Sequence, residues 1–177
     1  DSVLVTDATA ASGNRSLKVT DAPGLERTWK PHFYWRMTRD KGTMVTTFDI
    51  RVERDAKMDF EWRDWSVNPY KIGARLGIHD GKLRIPDGRS MDIPPGVWVR
   101  IEITGGLGSK ANGKYTVKVT APRGSARSLE PHMSGRRTFA GLKYAASDFK
   151  KVTWLGFMSN ATTRTSFYLD NIYMDAK

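Results

Sequence analysis

The most constraining feature of the sequence is an alternation of apolar and polar residues that recurs along the chain. In residues 44–52 the even-numbered positions are mostly apolar, whereas the odd-numbered positions include Asp49 and Arg51. Successive side chains of a β-strand point to opposite faces of a sheet, so a period of two predicts half-buried strands. The same pattern covers residues 16–21, 33–38, 57–65, 72–78, 97–104, 152–159 and 166–174.

Turn residues separate these runs. Asp80 and Gly81 lie between two alternating runs and predict a tight hairpin, because both residue types tolerate the positive φ angles of such turns. Residues 121–151 lack clear alternation and predict a long loop or a short helical turn around residues 139–144. Nine or ten short strands without a long helix are typical of an all-β fold, a two-sheet antiparallel β-sandwich of the jelly-roll type. We expect one domain spanning residues 1–177.

Composition narrows the classes of function. The sequence has no cysteine, which excludes disulfides, thiolate zinc sites and cysteine nucleophiles. Its 29 Lys and Arg residues outnumber its 19 Asp and Glu residues, and the net charge of +10 attracts anionic partners. No Lys/Arg tract is longer than a pair, which disfavours a nucleic-acid-binding arm, and no apolar run is long enough to span a membrane. The abrupt ends of the chain predict a monomeric module of a larger multidomain protein.

Four segments carry a resemblance to a known family. Residues 12–19 (Ser-Gly-Asn-Arg-Ser-Leu-Lys-Val) resemble the N-terminal strand of jelly-roll carbohydrate-binding modules, and residues 167–172 (Phe-Tyr-Leu-Asp-Asn-Ile) resemble their closing strand. Residues 77–83 and 96–103 are similar to the central hairpin and following strand of laminin-G-like sandwiches. The chain thus resembles the concanavalin A-like lectin/glucanase domains of the carbohydrate-binding type. The resemblance implies a secreted or cell-surface bacterial protein that binds sugar on one sheet face or with its edge loops.

The resemblance also implies a structural calcium ion. Asp170 would be its main ligand, with Asp7 and the backbone carbonyls of residues 12–14 supplying further oxygens of the kind that a hard cation prefers. The alternative interpretation is that Asp170 simply ends a strand and that Asp7 is a solvated loop residue.

Strand parity predicts a polar and aromatic surface on the face opposite the core. If Phe33 and Trp35 point inward, then His32, Tyr34 and Arg36 point outward. Aromatic rings stack on the apolar faces of sugars, and Arg side chains match carboxylate or sulfate groups in two-point contacts. Neighbouring strands and two loops extend this surface. The candidate ligand-binding residues are Trp29, His32, Tyr34, Arg36, Glu61, Arg63, Trp65, Tyr70 and Arg75.

Simpler interpretations stay open for some of these residues. Tryptophan is large enough to serve mainly as core, and Arg63 with Glu61 or Asp64 would form surface ion pairs of little energetic worth. The tryptophans to which the core interpretation applies are Trp29, Trp35, Trp62, Trp98 and Trp154.

Catalysis requires residue patterns that the sequence lacks. Asp59 and Glu61 could approach the separation of a retaining glycosidase pair, but the Glu-x-Asp-x-x-Glu motif of endo-glucanases on this fold is absent. His32, Tyr34 and His79 are residue types that a lyase uses, yet no Gln-x-His signature occurs. We therefore expect a non-catalytic module that binds a polysaccharide, preferably an acidic one, and targets a larger secreted protein to it. The alternative is a polysaccharide lyase or glycoside hydrolase on the same fold, and a protein-binding or spacer domain is the third hypothesis.

Overall fold

The chain is built almost entirely from β-strands. In the computed structural model, which describes residues 1–120 and 136–177, every regular element except one helical turn (Gly108–Lys110) is a strand. The all-β prediction is therefore confirmed. The strands are β1 (Ser2–Thr6), β2 (Ser16–Asp21), β3 (His32–Arg39), β4 (Gly42–Val52), β5 (Lys57–Asp64), β6 (Lys71–His79), β7 (Lys82–Arg84), β8 (Ser90–Asp92), β9 (Trp98–Leu107), β10 (Lys114–Thr120), β11 (Arg137–Lys143), β12 (Val152–Ser159) and β13 (Thr165–Ala176).

These strands form two antiparallel sheets. The seven-stranded sheet has the order β1-β2-β13-β4-β9-β10-β11, and the six-stranded sheet has the order β3-β12-β5-β6-β7-β8. Several neighbours, such as β13 and β4 or β12 and β3, are distant in sequence, as jelly-roll connections require. The predicted two-sheet sandwich is confirmed.

The core lies between the two sheets and is made by the alternation. Phe48 of β4 and Phe60 and Trp62 of β5 are completely buried. The rings of Phe48 and Phe60, one from each sheet, lie 5.3 Å apart between their centroids. Burying a side chain of this size stabilises the fold by about 1.5–3 kcal/mol. The indole N–H of Trp62 donates to Oγ1 of Thr46 at 3.1 Å, so this buried polar group is satisfied.

The predicted hairpin is also confirmed. Asp80 and Gly81 have φ angles of 54° and 69°, and they connect β6 to β7 with His79 opposite Lys82. Two residues with positive φ are the requirement of the tight turn that matches the twist of antiparallel strands.

The sequence prediction missed three strands, and β11 shows why. Residues 139–144 were expected to form a loop or helical turn, but most of them belong to β11. Phe139 pairs with Val117 and Leu142 pairs with Tyr115, so β11 carries an extra residue in a bulge that contains Gly141 at φ 72°. The bulge places buried side chains three residues apart, which imitates helical spacing. The missed strands are β1, β8 and β11, and the rest of the irregular stretch, including His132, lies in residues 121–135, outside the described residues.

Within residues 1–120 and 136–177, no helix has the length and apolar character needed to cross a bilayer. The expectation of one domain over the whole chain stays a prediction.

Candidate functional site

The outer face of the six-stranded sheet gathers the polar and aromatic side chains that strand parity placed there. Trp154 of β12 is paired with Arg36 of β3 on one side and with Arg63 of β5 on the other. Residues paired across antiparallel strands share a face, so these three side chains lie together. The next row across the sheet consists of Tyr34, Gly156, Glu61 and Arg75.

Arg63 is the centre of this surface. Its guanidinium carbon lies 4.1 Å from the centroid of the Trp154 ring and 5.1 Å from that of Tyr70. Its Nε donates to Oε2 of Glu61 at 2.6 Å, and the Arg63 side chain is only 14% exposed. Aromatic faces attract a cation in such geometry, and the ion pair with Glu61 orients the guanidinium. Arg63 is therefore a fixed, partly desolvated positive charge.

A cleft of about 300 Å³ opens beside Arg63. Trp65 and Tyr70 form one wall, with ring centroids 5.9 Å apart and exposures of 44% and 46%. Trp29 and His32 form another wall, with their ring centroids 4.8 Å apart in an edge-on arrangement. We call this site the aromatic cleft; its lining residues are Trp29, His32, Arg63, Trp65, Tyr70, Trp154 and Met158.

Trp154 forms the floor of the aromatic cleft. It is 1% exposed because Tyr34 and Trp65 stack on it, with centroid distances of 5.4 and 5.8 Å, and Arg63 covers it. Gly156 makes room for this ring, since a Cβ at that position would lie 2.5 Å from a Trp154 ring carbon. In the described part of the chain, the indole nitrogen of Trp154 is the one buried side-chain nitrogen or oxygen without a hydrogen-bond partner.

The alternative interpretation that Trp154 serves as core does not hold. Leu155 and Phe157 on either side of Gly156 pack into the core, whereas Trp154 and Met158 face outward into the cleft. Hydrophobicity alone could not distinguish a core tryptophan from one covered by other aromatic rings on an outer face. The usable signal was the parity of β12, in which Leu155 and Phe157 point inward.

A second depression of about 350 Å³ lies along the same face and holds two carboxylates. Asp59 is hydrogen-bonded to Nε2 of His79 at 2.9 Å and also accepts a bond from the side-chain amide of Asn160. Gly77 permits this pairing, because a Cβ there would lie 2.7 Å from the Asp59 carboxylate. Arg75 is exposed beside Glu61 at the border between this depression and the aromatic cleft.

His32 has a shifted titration. Partial burial lowers its pKa below the usual value of 6.5, and the positive charges of Arg63 and Lys30 lower it further. The imidazole of His32 is consequently neutral at pH 7. It stacks on Tyr34 with a centroid distance of 5.5 Å.

The structure brings the candidate ligand-binding residues to one side of the molecule in three groups. Five of them line the aromatic cleft, Tyr34 stacks against its floor, and Arg36, Glu61 and Arg75 lie beside it on the same face. The five residues in the cleft are Trp29, His32, Arg63, Trp65 and Tyr70.

The alternative that Arg63 forms an ion pair with Asp64 does not hold. The partner of Arg63 is Glu61, and Asp64 instead accepts hydrogen bonds from Ser66.

The residues proposed for calcium are arranged differently. Oδ2 of Asp170 accepts the backbone N–H groups of Ala11 at 2.8 Å and Ser12 at 3.0 Å, and its Oδ1 accepts the N–H of Asn171 at 2.7 Å. N–H hydrogens already point at this carboxylate, so the contacts do not fit a cation there and instead fasten the loop after β1. Asp7 is exposed. Calcium binding stays a prediction of the family resemblance.

Comparison with known proteins places the fold. No protein-family model matches the sequence, and no curated protein matches it. Among solved structures, the marine PL-14 alginate lyase from Aplysia kurodai superposes with a TM-score of 0.62 at 13% identity, covering 99% of this chain and 87% of the lyase.

Two neurotoxin structures share the architecture over a smaller part of their length. The binding domain of botulinum neurotoxin DC, in complex with SialylT, gives a TM-score of 0.55 at 11% identity, and that of serotype G gives 0.53 at 9%. Each match covers 99% of this chain, and the chain spans 42% of each toxin domain. At these identities the likeness concerns the fold, and it shows that this chain has the same kind of two-sheet β-sandwich as these proteins.

Proposed function

We propose that the chain is a non-catalytic module that binds an acidic polysaccharide in the aromatic cleft and directs a larger secreted protein to that polymer. The observation that carries the proposal is the joint placement of exposed Trp65 and Tyr70 around the fixed guanidinium of Arg63. Exposed aromatic rings offer stacking surfaces for sugar rings, and a guanidinium offers paired N–H donors to a carboxylate or sulfate.

The cleft is organised before any ligand arrives. Arg63 is held by Glu61, by stacking on Trp154 and by a 3.0 Å contact from its Nη2 to the sulfur of Met158. Side chains that are already ordered lose little conformational entropy on binding, which favours affinity.

The positive charges around the cleft favour an acidic polymer over a neutral one. Arg27 and Lys30 lie 5.7 and 6.0 Å from the Trp29 ring at the rim, and Arg36 is exposed on β3. The net charge of +10 has the same sign. A cleft rimmed by cations concentrates anionic ligands and steers their approach. The alginate lyase of the same fold, named for its action on alginate, supports including alginate among the polymers tested.

The proposal is tested by affinity electrophoresis in gels that contain alginate, pectate or a neutral glucan. We expect retardation by at least one of the acidic polymers, and we expect Trp65→Ala and Tyr70→Ala each to weaken that binding about tenfold or more, as truncation of an aromatic anchor does. Tyr173→Ala is the matched control, because Tyr173 is 45% exposed on the other sheet. It should bind like the wild type.

The result that contradicts the proposal is equally specific. If no polymer retards the wild type, or if all three variants bind equally well while keeping their melting temperatures, the aromatic cleft is not a polysaccharide site. Stronger retardation by the neutral glucan than by the acidic polymers would support the aromatic cleft as the binding site but contradict the preference for acidic polymers.

Lyase activity is the second candidate, and His32 is the observation that favours it. A neutral imidazole close to a guanidinium is suited to remove a proton from a uronate whose carboxylate is neutralised. A hydrolase is less well supported, since Asp59 is hydrogen-bonded to His79 and Glu61 is ion-paired with Arg63, which leaves neither as a free acid of a retaining pair.

Absorbance of unsaturated uronate ends distinguishes binding from elimination. We expect no absorbance increase when the protein is incubated with alginate or pectate under the conditions that show binding. An increase that His32→Gln abolishes, without loss of polymer binding, would instead establish a lyase.

A further inference from the structure

The outer face of the seven-stranded sheet carries a second organised row of side chains. Adjacent strands β1, β2, β13, β4 and β9 are paired so that one residue from each lies in register. The chain neighbours of Lys18, Tyr168 and Arg51 pack into the core, so these three side chains point outward, and the residues paired with them at the two ends of the row share that face. The row crosses four strand-to-strand spacings and is therefore about 19 Å long. Its members are Leu4, Lys18, Tyr168, Arg51 and Trp98.

Tyr168 is the centre of the row, and two cations flank it. The Lys18 ammonium lies 5.6 Å from the ring centroid, and the Arg51 guanidinium carbon lies 5.5 Å from it. Tyr168 is itself buried beneath its neighbours, at 7% exposure. The middle of the row therefore presents charge over a covered ring, whereas the aromatic cleft presents exposed rings.

A cleft of about 680 Å³ lies at one end of the row, between β2, β13 and the loop after β4. Lys18, Arg54 and Arg164 line it, and none of the three forms an ion pair with a residue in the described ranges. Hydroxyl groups of Thr20 and Ser166, 3.1 Å apart, lie in the same wall. We call this site the basic cleft.

Two carboxylates also line the basic cleft, and they do not cancel its charge. Glu53 is paired with Arg51 at 3.3 Å, and Arg51 also donates to the carbonyl of Gly96 at 2.9 Å. Asp55 is exposed on the loop. With Glu53 engaged, three cations face one carboxylate. Hydroxyls next to ammonium and guanidinium groups match the oxygens of a sulfate or carboxylate group.

We infer that the basic cleft is a second binding site, which takes the charged groups of an anionic polysaccharide. The open cleft fits an extended polymer better than a small ion, since its three cations come from three separate segments: Lys18 from β2, Arg54 from the loop after β4 and Arg164 from the loop before β13. Binding here depends on ionic attraction, because the ring that lines the basic cleft, Tyr168, is only 7% exposed. It is independent of the aromatic cleft, which lies on the outer face of the other sheet.

Dextran sulfate, uncharged dextran and vesicles containing an anionic phospholipid are the probes. We expect the wild type to bind dextran sulfate and not dextran, with affinity that falls steeply as salt is raised. The variant Lys18→Gln/Arg54→Gln/Arg164→Gln should lose about tenfold in affinity or more. The control Lys110→Gln/Lys114→Gln/Arg136→Gln removes the same number of exposed charges elsewhere and should lose much less.

The two sites are distinguished by testing the variants of each cleft in the binding assay of the other cleft. Trp65→Ala and Tyr70→Ala should keep their binding to dextran sulfate, and the triple variant of the basic cleft should keep its retardation in the acidic gels at moderate salt. The inference is overturned if the wild type does not bind dextran sulfate, if both triple variants lose affinity equally, or if Trp65→Ala abolishes this binding. Stronger binding to the vesicles, lost in the basic-cleft variant, would replace the polysaccharide with a lipid headgroup.

Discussion

Trp154 shows how a single residue can be buried outside the hydrophobic core. Its ring is covered by Tyr34, Trp65 and Arg63 on the outer face of the sheet, and its N–H has no partner there. An unsatisfied buried donor costs about 1–3 kcal/mol, so it persists only when the surrounding packing compensates. The side chains that pack around Trp154 also orient Arg63. The energetic cost of the unsatisfied N–H is therefore linked to the shape of the aromatic cleft.

Gly156→Ala tests this link. The new Cβ would lie 2.5 Å from the Trp154 ring and 2.8 Å from the carbonyl oxygen of Phe33, so the ring must move. We expect the free energy of unfolding to fall by about 1–3 kcal/mol and polysaccharide retardation to weaken. Urea unfolding and affinity electrophoresis measure the two effects.

Gly77→Ala provides the comparison for that substitution. Its Cβ would meet the ends of the Asp59 and His79 side chains, so it too should destabilise the fold. It should nevertheless spare the aromatic cleft. Equal loss of binding in both variants would mean that the effect of Gly156→Ala comes from stability and not from Trp154.

At the scale of strands, the faces of most elements followed from the sequence. The parity of β3, β4, β5 and β9 was predicted correctly, because in each strand the residues assigned to the core and to the outer face alternate without interruption. β11 was missed because its bulge at Gly141 breaks the period of two. The loops that carry Trp29 and Tyr70 could be named as candidates, but their approach to Arg63 depends on long-range packing that no local pattern encodes.

The loop between β1 and β2 depends on Asp170 of β13. Asp170→Ala would leave the N–H groups of Ala11 and Ser12 without their acceptor, and we expect it to lower the free energy of unfolding by about 1–3 kcal/mol. Asp7→Ala is the control, since Asp7 is exposed. Thermal unfolding of both variants gives the measurement.

The same melting curves address calcium. Because N–H groups occupy the Asp170 carboxylate, we expect added calcium to leave the melting temperature of the wild type unchanged. A ligand that binds only the folded state raises stability with concentration. A calcium-dependent rise in the wild type that Asp170→Ala removes would show that the ion displaces these hydrogen bonds and that Asp170 is part of a metal site.

For the whole molecule, one shared core supports two outer faces of different chemistry. The six-stranded sheet presents rings around a fixed guanidinium, and the seven-stranded sheet presents cations around a covered tyrosine. The charge of +10 was evident from composition, but its division between two opposite faces was not, since it depends on which strands become neighbours. Pairing of β13 with both β2 and β4 is what assembles the second face.

The two-layer architecture has a mechanical consequence. The outer faces of the two sheets point in opposite directions, with the packed core between them. A polymer chain bound to one face therefore lies on the opposite side of the domain from a chain bound to the other face. A protein that binds polymer on both faces at once would cross-link separate polysaccharide chains in a gel. Such a domain would link polysaccharide chains to one another as well as attach a protein to them.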